Sequence, residues 1–174
     1  WDFETTTGFD DDGAWTCSNG EGAGDNDCAL AFSDPNGGGD YENLAWGTPS
    51  AINEDDAQSY LEITNLAGSI ITGGGWFDIN YFDHYNHIIT AAGGYMSGVN
   101  INGLFEIVSP IDFDVPGTNA VGFTETFNVD SDDCPGPNPL ESACDDIFVT
   151  GVLQAEIPIW VDGRMYILTF RFLA

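Results

Sequence analysis

Apolar and polar residues alternate along most of this chain with a period of two, the spacing of a strand that buries one face. Residues 59–63 show it clearly, with Leu61 and Ile63 set off from Tyr60 and Glu62. Residues 121–127 repeat the pattern. In 164–173, Tyr166, Leu168, Phe170 and Phe172 face one way and Met165, Ile167, Thr169 and Arg171 the other. Shorter apolar runs at 1–4, 14–17, 29–32, 43–46, 70–71, 76–81 and 87–90 predict further strands. Residues 95–107 predict one long strand or two broken ones, with Gly98 and Gly103 as bulge or turn points. An apolar stretch at 147–159 leads to Asp162-Gly163, a two-residue hairpin signal joining 157–161 to 164–173.

Turn residues punctuate these runs. Residues 34–40 carry Pro, Asn and three glycines and read as a loop. Only 52–59 suggests a helix, and a short one. No repeat or heptad is present. Roughly ten to thirteen short strands at such intervals predict an all-β fold, a single jelly-roll-like β-sandwich. The 174 residues suit one domain with a sizeable core, spanning 1–174.

Charge changes the picture next. The chain has 29 acidic residues, no lysine, and only Arg164 and Arg171 as cations, for a net charge of −27. Such self-repulsion opposes a compact state unless salt or bound cations offset it. Nucleic acid binding needs a basic face, so that class of partner is excluded. Anionic membrane surfaces are disfavoured, and no apolar stretch nears the roughly 20 residues of a spanning helix. The 43% hydrophobic content argues against disorder.

The acids cluster in predicted loops. Asp25-Asn26-Asp27 and Asp130-Ser131-Asp132-Asp133 begin as calcium loops do, without the Gly and distal Glu of an EF-hand. Asp25, Asp27, Asp130, Asp132, Asp133 and Asp145 are the candidate calcium ligands; the alternative is a solvated acidic surface. The cysteines form two local pairs without metal spacing, so disulfides Cys17–Cys28 and Cys134–Cys144 are expected. Each would contribute roughly 2–3 kcal/mol and place the chain outside the cytoplasm. A start at Trp1 rather than Met is expected of a mature secreted product.

Catalytic patterns are poor. His84 and His87 form an H-x-x-H, but on a strand that spacing puts them on opposite faces, so a structural role is expected before a metal site. There is no G-x-S-x-G elbow, and paired carboxylates mean little among so many acids, so no enzyme is expected. The five tryptophans and six tyrosines could supply a sugar-stacking platform.

Four motifs carry a family resemblance: Trp15-Thr16 in a glycine-rich lead, Leu44-Ala45-Trp46-Gly47-Thr48-Pro49, Phe82-Asp83-His84-Tyr85-Asn86-His87-Ile88, and Cys144-Asp145-Asp146-Ile147-Phe148-Val149. In this order they resemble the THxN group of bacterial secreted proteins, related to the choice-of-anchor domains. Asp83 stands where that group has its signature threonine, and the C-terminal sorting tail of many relatives does not follow Phe172-Leu173-Ala174. The resemblance implies a secreted, all-β extracellular domain and brings no characterised activity. Together these readings predict an extracellular structural protein, a filament or matrix subunit. It would assemble with itself by terminal-strand complementation at 1–6 and 164–173, with calcium as an additional bridge. The alternative is a monomeric, calcium-dependent module that binds an extracellular glycan or an adhesive target.

Overall fold

The computed structural model describes residues 1–11, 15–17, 28–35, 41–49, 57–87, 89–90, 94–125, 146–150 and 154–171. Every regular element among them is a strand, so the all-β expectation is met. The first sheet runs in the order β10 (Ile147–Thr150), β9 (Phe113–Thr124), β8 (Met96–Ser109), β1 (Asp2–Phe9), β6 (Ala67–Ser69). A further short strand, β2 (Trp15–Cys17), pairs with the start of β8. The second sheet has four strands, in the order β3 (Ala31–Ser33), β4 (Asn43–Trp46), β5 (Ser59–Asn65), β7 (Asn80–Tyr85). The third is a hairpin of β11 (Gln154–Val161) and β12 (Arg164–Arg171). All described pairings are antiparallel.

The arrangement is sandwich-like because one face of the six-stranded sheet is covered twice. At one end Phe9, Met96, Val99, Ile101, Val121 and Phe123 of that sheet meet Leu44, Trp46, Leu61 and Ile63 of the four-stranded sheet. At the other end Phe3, Phe105 and Ile107 meet Ile159 of the hairpin, with Ile157, Tyr166, Leu168 and Phe170 packed around them. β1 and β8 pass through both cores. The disulfide Cys17–Cys28 ties β2 in the first layer to the lead into β3 in the second.

The layers are also joined by one continuous run of chain. β5 ends at Asn65 in the second layer and β6 begins at Ala67 in the first, so the chain changes sheets at Leu66. The corner's backbone groups are paired across the layers: Leu66 N donates to the Ile79 carbonyl and Thr5 N to the Leu66 carbonyl, both at 3.1 Å. The Thr5 side chain adds to this: Leu66 N also donates to its Oγ1 at 3.0 Å, and its hydroxyl lies 2.9 Å from the carbonyls of both Leu66 and Ile79.

Several expected boundaries move. The strand expected at 76–81 is β7, Asn80–Tyr85. Trp76 and Phe77 instead pack on tertiary partners, Trp76 under the Arg171 guanidinium and Phe77 tilted against Phe3. Ile70-Ile71 follows β6 rather than forming a strand. β9 starts eight residues before the expected alternation at 121. Gly98 sits where the β2–β8 register shifts, as a bulge point would. Gly103 is neither bulge nor turn; it pairs regularly, and a Cβ there would lie 3.2 Å from Thr7 Oγ1. Of the expected helix at 52–59, residues 52–56 lie outside the described residues, and Ser59 opens β5.

Candidate functional site

The second layer has a seam. The four-stranded sheet ends at β7, the hairpin begins at β12, and no described strand bridges them. Between them opens a cavity of about 500 Å³, walled by Phe82, Phe123, Phe148, Leu168 and Phe170 and carrying Asp78, His84, Asp146 and Arg171. Clefts with apolar walls and a few converging polar groups are where ligand or partner sites are ordinarily found.

A polar knot lies at its floor, partly exposed at His84 and fully buried at the Asp146 side chain. On β7 the pairing Leu61↔His84 puts His84 on the inward face. Its ring stacks on Trp46 at 5.7 Å and meets the edge of Phe123 at 5.2 Å. Its Nε2 lies 3.3 Å from Asp146 Oδ2, whose side chain is fully buried. The Trp46 indole N–H donates to Glu125 Oε2 at 2.9 Å. Glu125 Oε1 is buried and accepts no hydrogen bond from the described residues.

The electrostatics follow from that burial. Loss of solvent holds the Glu125 carboxyl up at about 7, with nearby Asp146 adding to the effect against the Trp46 hydrogen bond. Burial, helped by repulsion from His87, pushes His84 down to about 4. Near neutrality His84 is therefore an uncharged imidazole, and Glu125 is divided between its two forms. Chemically this is a polar clamp between β4, β7, β9 and the start of β10. A general acid must reach the group it protonates. The buried Glu125 Oε1 does not open to the cleft, so the knot reads as structural.

Three of the quoted sequence motifs meet at this knot, supplying Trp46, His84 and Asp146. Sequence reasoning assigned Asp146 to an acidic loop and overlooked Glu125; their only signal was that both flank apolar alternation. His87 is on the other face, stacked on Tyr60 at 6.2 Å, as the spacing of three predicted. Asp83 also points outward, since it pairs with Glu62.

That outer face of the four-stranded sheet is aromatic and acidic. Tyr60 and Tyr85 stack at 4.2 Å. Glu62 stands directly across from Asp83, and Thr64 across from Tyr81. Tyr81 hydrogen-bonds Asp78 Oδ2 at 3.1 Å. These carboxylates hold both phenols above their ordinary range: Asp78 acts on Tyr81, and Glu62 foremost on Tyr85.

The hairpin differs in every respect. Its turn residues, Asp162 and Gly163, both have positive φ (49° and 74°), the requirement of a type I′ turn. Ile157, Ile159 and Val161 point inward, while Trp160 (66% exposed), Met165 (54%) and Ile167 (58%) point out. No described backbone hydrogen bond joins it to either sheet. Both of the chain's arginines lie on β12. The hairpin's only acids are Glu156 and Asp162, so it is formally neutral, and the other 27 acids lie elsewhere.

The expected calcium ligands Asp25, Asp27, Asp130, Asp132, Asp133 and Asp145, and the expected Cys134–Cys144 pair, lie outside the described residues. Among the described residues no group of three or more His, Cys, Asp or Glu side chains is placed to share a metal ion. No described helix is long and apolar enough to cross a membrane. A scan against protein-family models finds no match, and a comparison with curated proteins finds no similar sequence.

Proposed function

We propose that this chain is a secreted extracellular structural protein that assembles with copies of itself into a filament or matrix. The observation that carries the reading is the β11–β12 hairpin, with two edges unpaired among the described strands and an exposed apolar outer face. Unpaired edges and exposed apolar faces are what soluble domains ordinarily cover or blunt. Here neither Pro158 nor the flanking charges hide Trp160, Met165 and Ile167.

The hairpin also answers the charge problem. Copies at −27 repel one another, and a contact between acidic surfaces would be lost without bridging ions. A neutral apolar element lets two copies meet without placing acid on acid. β1 fits the donor role less well, because it is paired on both sides, to β6 and β8. The reading retains a jelly-roll-like plan, a second disulfide between Cys134 and Cys144, and calcium held by the acidic loops as an additional bridge.

Electron microscopy of purified protein, at high salt and with millimolar calcium, tests it. Filaments or sheets are expected, and Trp160→Asp with Ile167→Asp should leave folded monomers. Monodisperse globules from the unmutated chain under all these conditions would overturn the reading.

A further inference from the structure

We infer that the outward face of the hairpin docks on the tyrosine–carboxylate face of the four-stranded sheet in a second copy of this chain. The inference rests on the self-assembly proposed above and adds the surface that receives the hairpin.

Two separate observations point to it. The first is on the receiving side. Glu62 and Asp83 are directly opposed across β5 and β7, an arrangement that destabilises a sheet when both are charged. Among the described residues neither arginine forms an ion pair with them. They are flanked by Tyr60, Tyr81 and Tyr85, whose rings favour a neighbouring cation. The face therefore has the chemistry to take up a guanidinium, which combines charge with a flat stacking surface.

The second observation is on the donor side. Guanidinium is scarce in this molecule: 174 residues supply two, both on β12, a strand that carries no acid. Arg171 ends the outward row of Met165 and Ile167 and already lies over an indole, 3.9 Å above Trp76. Arg164 follows the turn at the far end. The outward row, apolar at Met165 and Ile167 and ending in the Arg171 cation, complements a face with tyrosines around a carboxylate pair; Arg164, paired with the inward Val161, lies on the other side of the strand. The electrostatic match sets orientation and partner choice, and the apolar centre supplies most of the attraction.

Donor and receiver are different surfaces of the same chain. Such a contact is heterologous, so each copy keeps one free donor and one free receiver, and assembly continues head to tail. A hairpin-to-hairpin contact would instead stop at a dimer.

Mixing variants tests this. Met165→Glu with Ile167→Glu blocks the donor; Glu62→Lys with Asp83→Lys blocks the receiver. By sedimentation velocity each variant alone should be a monomer, and an equimolar mixture should form heterodimers that grow no further. The neutral receiver Glu62→Gln with Asp83→Asn should weaken assembly at least tenfold while keeping the unmutated far-ultraviolet spectrum, guarding against misfolding of the lysine variant. Polymerisation of both receiver variants like the unmutated chain would overturn the inference while leaving self-assembly intact. So would a mixture that stays monomeric, or receiver variants that lose binding on a glycan array yet still polymerise. Failure of the unmutated chain to assemble at all would instead strike the reading beneath it.

Discussion

The two ends of the sandwich are built from the same long strands and finished in different ways. At the first end the second layer is a four-stranded sheet fastened by Cys17–Cys28, by the Trp46–Glu125 hydrogen bond and by the His84–Asp146 contact. At the second end it is a two-stranded hairpin held by side-chain packing, with an exposed apolar back. One end is closed by covalent and polar ties, and the other is left with a surface to share. Where cross-ties are many, acid can be carried on the outside; where they are few, the sequence keeps charge near zero.

The largest effects should separate the ends. Trp46→Ala removes a fully buried indole and should cost about 3–5 kcal/mol in urea unfolding, lowering protection throughout. In hydrogen exchange on unassembled protein, β11 and β12 amides should open at lower free energy than those of β5 and β8. Equal protection would mean that the hairpin is as firmly fixed as the sheet. Next, Cys17→Ser with Cys28→Ser should cost about 2–3 kcal/mol for an 11-residue separation, without altering the hairpin's exchange.

The polar knot should show itself in pH dependence. The Glu125 carboxyl sits at about 7 in the fold against an ordinary 4.5, so its contribution is fully present below 4.5 and lost as pH rises towards 7. His84 sits at about 4 against 6.5, so its contribution is fully present above 6.5 and lost as pH falls towards 4. The two oppose each other over the shared window. Glu125→Gln should therefore gain on the unmutated chain as pH rises from 4.5 to 7, and His84→Phe should gain as pH falls from 6.5 to 4. Both effects are on the order of 1–2 kcal/mol after allowing for the solvent that reaches each site. Thermal melts across that range check the signs. The smallest effect is at the outer face: Glu62→Gln should stabilise the monomer by about 0.2–1 kcal/mol by relieving its repulsion with Asp83.

Much of the fold was legible because strands report themselves through alternation. Leu61 and Ile63, the inward and outward rows of β12, and the Asp162-Gly163 turn all lie where the pattern put them. The first half of β9 was hidden because Pro116 and Gly117 interrupt the alternation there. Over 113–120 no described strand lies on β9's other side, since β10 pairs only with 121–124, so this half of β9 is an edge among the described strands, where proline is ordinarily tolerated. The knot was less legible. Nothing local in Glu125 or Asp146 distinguishes them from the other 27 acids; the partners that set them apart, Trp46 for Glu125 and His84 for Asp146, come from distant parts of the chain. The neutral hairpin, by contrast, was visible in the placement of Arg164 and Arg171, a signal that lies in the scarcity of cations elsewhere.

β1 has a consequence for the order of events during synthesis. It is the second residue of the chain that begins the strand, yet its partners are 67–69 on one side and 101–109 on the other. At roughly 5–20 residues per second, a nascent chain waits on the order of 5–20 s between making β1 and making the last of β8. Until then Phe3 and Phe9 have no core to enter. The strand made first is therefore among the last to be paired on both sides.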